Sequence, residues 1–107
     1  VFFYVIQLFD AECRDDMILA LTSAGILRAT VVEGENLDRM LDAGFPLFTG
    51  FFRGPDDKKR RSMLFFGMTD KQERLTSVAD LLKDAGVDNA DGNVFRIVAL
   101  PGTEIGS

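Results

Sequence analysis

The sequence predicts an α+β domain with four strands and two long helices. Three observations carry that expectation. Apolar, β-branched and aromatic runs of strand length recur four times. Two stretches between them hold apolar residues at helical spacing and end on Gly25 and Gly86. The length, 107 residues, leaves room for one core only, so 1–107 reads as a single domain.

Residues 1–9, Val-Phe-Phe-Tyr-Val-Ile-Gln-Leu-Phe, are almost continuously apolar, as a central strand covered on both faces would be. The run lacks the basic start and the small-residue cleavage site of a signal peptide. Asp10 can cap the first helix. Over residues 11–24, Cys13, Met17, Leu21 and Ala24 keep helical spacing, with Ile18 and Ala20 beside them. Glu12, Asp15 and Asp16 lie in the early turns, where the helix dipole favours negative charge. Gly25 suits the position just past the helix.

A second strand is expected over 26–33, ended by Gly34. Asn36 can cap a short helix carrying Leu37, Met40 and Leu41, stopped by Gly44. The third strand is expected over 62–68. Thr69 with Gln72 reads as a capping box for a second long helix, which places Leu75, Val78, Ala79, Leu82 and Ala85 on one face and stops at Gly86. The fourth strand is expected over 93–100, stopped by Pro101-Gly102. The order β-α-β-(short α)-β-α-β matches the ferredoxin-like βαββαβ plan, a four-stranded antiparallel sheet with both long helices on one face.

That plan leaves the other sheet face bare, yet the strands are apolar on both sides. Phe2 and Tyr4 oppose Phe3 and Val5; Phe65 opposes Phe66; Val94 and Val98 oppose Phe95, Ile97 and Ala99. Either other copies of the chain cover the face, or the short helix and the segment 45–52 cover it within one chain.

Composition narrows the chemistry. With no His, neither a Ser-His or Cys-His pair nor a His-ligated metal can be assembled from one chain. The single cysteine, Cys13, excludes an internal disulfide and a cysteine-built zinc site, lies on the apolar face of helix one, and reads as inert. Tyr4 reads as packed. The pairs Asp15/Asp16, Asp56/Asp57 and Asp88/Asp91 occupy helix starts and turns, where capping accounts for them. An enzyme is therefore not expected. A formal charge of −5 argues against nucleic acid and against an anionic membrane surface. No apolar run reaches the ~20 residues of a membrane span. A reducing, cytoplasmic location is expected from the cysteine usage.

The 27 residues 35–61 form a long connection between strands two and three. Long connections in compact domains are usually functional or disordered. Lys58, Lys59, Arg60 and Arg61 form a basic run that can hold a phosphate or carboxylate, or can stay solvated beside Asp56 and Asp57. Gly50 and Gly54 can present backbone N–H groups to an anion. Phe45, Phe48, Phe51 and Phe52 read either as a partner-docking surface or as packing against the sheet.

Gly25-Ile26-x-x-x-Thr30-Val31-x-Glu33 resembles the Gly-Val/Ile…Thr-Val-x-Glu stretch of the nitrogen-regulatory P-II proteins. The element order is similar to theirs, as are the long excursion after strand two (their T-loop) and the Val98-Ala99-Leu100-Pro101 ending. Asn36-Leu37 followed by 45–51 resembles one branch of P-II-like proteins, in which a short helix and a Pro-Phe/Leu segment replace the T-loop. The resemblance implies a P-II-like fold and a trimer whose sheets pack into a central core. It also implies signalling without catalysis, through a small ligand such as ATP or ADP bound in clefts between subunits. The loop would dock on a membrane transporter or a metabolic enzyme.

On that basis Gly54, Lys58, Arg60 and Arg61 are the candidates for the phosphate side. The Thr-Gly-x-x-Gly-Asp-Gly-Lys loop of ATP-binding members is matched only by Thr49-Gly50…Gly54…Asp56…Lys58, at other spacings. The only tyrosine is Tyr4, and Arg96 lies inside strand four. The βαββαβ layout is also that of amino-acid-binding ACT modules, which bind near a Gly after strand one; none follows Phe9. A small ferredoxin-like enzyme is the third alternative, and the absence of His speaks against it.

Overall fold

A computed structural model describes residues 1–42 and 61–106. The elements run β1 (Phe2–Leu8), a 3-10 turn (Ala11–Cys13), α1 (Arg14–Ser23), β2 (Ala29–Glu35), α2 (Leu37–Asp42), β3 (Arg61–Thr69), α3 (Gln72–Asp84), a second 3-10 turn (Ala90–Gly92) and β4 (Phe95–Pro101). The strands form one sheet in the order β2-β3-β1-β4 with every neighbour antiparallel. This is the α+β, ferredoxin-like architecture expected from the sequence.

One face of the sheet makes the core. Tyr4, Ile6 and Leu8 of β1, Met63 and Phe65 of β3 and Phe95 of β4 are buried against Met17, Ala20 and Leu21 of α1 and Leu75, Val78 and Leu82 of α3. The two helices also pack against each other. Strand alternation sends the intervening residues to the opposite face.

Both long helices end in the same backbone motif. Gly25 (φ +82°) donates its N–H to the Thr22 carbonyl, and Ile26 donates to Leu21. Gly86 (φ +88°) donates to Lys83, and Val87 to Leu82. These are Schellman closures, which favour glycine at the left-handed position. In each, the next residue turns inward: Ile26 is buried, and Val87 packs against the core. Arg74 fastens the first corner, its Nη1 donating to the Ala24 carbonyl at 3.1 Å.

Several expected boundaries shift. Helix one begins as a 3-10 turn, with Asp10 Oδ1 accepting from the Glu12 N–H at 3.0 Å. Ile26 serves the helix closure and the core, so β2 starts only at Ala29. Gly34 lies inside β2 opposite Ser62, and the ladder continues to Glu35 opposite Arg61. The expected capping box does not form. Thr69 stays buried as the last residue of β3, the helix is preceded by Lys71, and the Asp70 carboxylate takes Arg74 instead. Ala85 is exposed at the end of α3.

Residues 93 and 94 are not in β4, because Asn89 holds the corner before it. Its Oδ1 accepts from the Val94 and Phe95 N–H groups at 2.9 and 2.8 Å, and its Nδ2 donates to the Phe95 carbonyl at 2.9 Å. Pro101 is the last ladder residue, opposite Phe2, on an edge strand where a missing N–H is tolerated.

Gly67 is required by close approach. A Cβ there would stand 2.7 Å from the Arg28 carbonyl oxygen and 2.9 Å from the Tyr4 hydroxyl. That hydroxyl donates to the same carbonyl at 3.3 Å, fixing the start of β2 to the core. Gly67→Ala is expected to destabilise the fold by about 1–3 kcal/mol, the range for an extra carbon in a packed interior. The readout is a lower denaturant midpoint with an unchanged slope. Gly102→Ala, with no atom within 4 Å of the added carbon, is the control and leaves the midpoint where it was.

Candidate functional site

The register places a largely apolar row on the sheet face away from the helices. Thr30, Phe66, Val5 and Val98 lie side by side across the four strands. Beside them run Val32, Leu64, Gln7 and Arg96 on one side and Met68, Phe3 and Leu100 on the other. Phe3 (42%), Met68 (57%), Val98 (54%) and Leu100 (58%) remain substantially exposed, although each sits on a strand of a well-packed sheet. Neither α2 nor any other described element covers this face: Leu37 and Leu41 of α2 are themselves exposed.

A groove of about 610 Å³ runs along one end of this face. Phe3, Phe66 and Met68 line it together with Arg28, Thr30, Asp70 and Glu104. The size suits a small-molecule ligand, and the lining pairs a flat apolar surface with a few polar groups. Arg74 Nε donates to Asp70 Oδ1 at 2.7 Å, and this hydrogen bond holds the Asp70 carboxyl below the usual carboxylate range.

At the other end of the sheet, two clefts flank the root of the connection between β2 and β3. One, of about 420 Å³, is bounded by Arg14, Glu33, Gly34, Glu35, Arg61 and Ser62. The other, of about 280 Å³, is bounded by Phe9, Asn36, Asp38, Arg39, Asp91, Gly92, Asn93 and Arg96. Asp91 adopts a left-handed backbone (φ 58°), uncommon for a residue other than glycine, and Gly92 comes after it at φ 67°. Asn36 is buried between these regions. Its Nδ2 donates to the Phe9 carbonyl at 2.7 Å and to the Arg61 carbonyl at 3.5 Å. One side chain thus bridges the end of β1, the exit of β2 and the start of β3. Each cleft combines two guanidinium groups with two carboxylates, so each can take a ligand bearing anionic groups only with the carboxylates held aside.

Of the residues expected to bind a ligand, Arg61 is exposed as the first residue of β3, opposite Glu35. Gly50, Gly54, Lys58 and Arg60 lie outside the described residues, as do Phe45, Phe48, Phe51 and Phe52. Sequence reasoning did not single out Arg14, Arg39, Arg96 or the 91–93 turn as binding residues. They are far apart in the chain, and only the sheet order brings Arg96 of β4 near α2. A weak signal did exist in Asp91-Gly92, a turn dipeptide just ahead of a strand.

Cys13 is half-buried against the core. Burial first, and then the carboxylates of Asp10, Asp16 and Glu12, push its thiol pKa up. Among the described residues no group of three acidic or thiol side chains could hold a metal ion. No described helix is long and apolar enough to cross a membrane.

Cys13 is expected to react with a disulfide reagent at pH 7 more slowly than free cysteine, and denaturant is expected to abolish the difference. Asp70 gives a second test. Its folded carboxyl titrates low, so the stabilisation from its contact with Arg74 is present at neutral pH. That stabilisation disappears as the pH falls through the lowered value, below the ordinary carboxylate range. Carboxyl-resolved NMR titration of Arg74→Gln should return Asp70 to the ordinary range. An unchanged Asp70 titration would refute the assignment. No family model matches the chain, and no curated protein matches it.

Proposed function

We propose that the chain is a P-II-like regulatory protein. It forms a homotrimer without catalytic chemistry of its own, binds a small anionic ligand in clefts between subunits, and regulates a transporter or metabolic enzyme in the cytoplasm. The observation that carries this reading is the sheet face left open by the described elements, with Phe3, Val5, Phe66, Met68, Val98 and Leu100 in register across three strands. A contiguous apolar surface built on rigid strands is uncommon on a monomer and suits packing against copies of itself.

The βαββαβ layout supports the family resemblance, and so does the position of the long connection between β2 and β3. ATP or ADP is the first ligand to test. Its phosphates would find arginines at the root of the connection (Arg14, Arg39, Arg61 and Arg96) and the basic residues Lys58 and Arg60, with Gly50 and Gly54 supplying backbone donors. Phe45, Phe48, Phe51 and Phe52 would serve partner docking.

Size-exclusion chromatography with light scattering should give a mass of about 35 kDa, three times the 11.8 kDa of the chain. A mass of 11.8 kDa overturns self-association. Val98→Asp, which puts a charge at the β4 end of the row, should yield a monomer that keeps its helical circular dichroism. Thermal denaturation with added ligand tests the second half of the proposal. ATP or ADP at one hundred times its dissociation constant should stabilise the protein by about 2.7 kcal/mol. Arg39→Ala with Arg96→Ala should remove much of that shift. Stabilisation by amino acids instead of nucleotides would favour an ACT-type regulatory module.

A further inference from the structure

We draw no further inference here: the strongest candidate, the open apolar face of the sheet with the groove along Phe3, Phe66 and Met68, belongs to the self-association already proposed, and nothing among the described residues shows any other occupant.

Discussion

The rest of the structure depends on where β1 sits. It is hydrogen-bonded to β3 on one edge and β4 on the other, so its backbone is satisfied within the sheet and only its two faces remain to be covered. On one face Tyr4, Ile6 and Leu8 meet the helices and become fully buried. The helices are held there by their ends as much as by their sides. The two Schellman closures turn Ile26 and Val87 into the core, and Arg74 ties the corner after α1 to the start of α3. On the other face Phe3 and Val5 lie beside their ladder neighbours, and Phe3 stays exposed. The same alternation that builds the core leaves an apolar surface behind it.

Much of this was legible in the sequence because the signals are local. Gly25 and Gly86 mark helix ends whatever surrounds them, since glycine alone adopts the left-handed backbone there without a steric cost. The apolar residues on both sides of strands one, three and four were also readable, and they point to the open face without knowledge of the strand order. What could not be read were choices made between distant groups. Thr69 and Gln72 have capping-box spacing, but Thr69 is held in the ladder opposite Phe2, so the helix starts without it. Gly34 looks like a strand terminator, yet its neighbours pair on to Glu35 and Arg61. The role of Gly67 depends on Tyr4 and Arg28, both remote from it along the chain.

The candidate site was the least legible part. Sequence reasoning placed it within the connection, on the basic run and the glycines, because composition is the only signal a single chain offers there. The fold adds a different set. Arg14, Arg39 and Arg96 come from α1, α2 and β4, and they share the sheet end only because β4 lies beside β1. Their charges are opposed by Glu33, Glu35, Asp38 and Asp91 in the same clefts, a balance that no linear motif displays.

The pairing of Glu35 with Arg61 has a further meaning for the connection between them. The chain leaves the sheet and returns to it at adjacent ladder positions, and the Asn36 amide spans the same gap. The ends are therefore brought together by the sheet itself. The entropy of closing a loop grows only with the logarithm of its length, about 0.6 kcal/mol for each doubling. Insertions, deletions or replacement of the residues between Asn36 and Arg61 would thus cost the rest of the domain little, provided that Asn36 itself is kept. The sheet can keep one architecture while this single segment changes length and chemistry to suit whatever it meets.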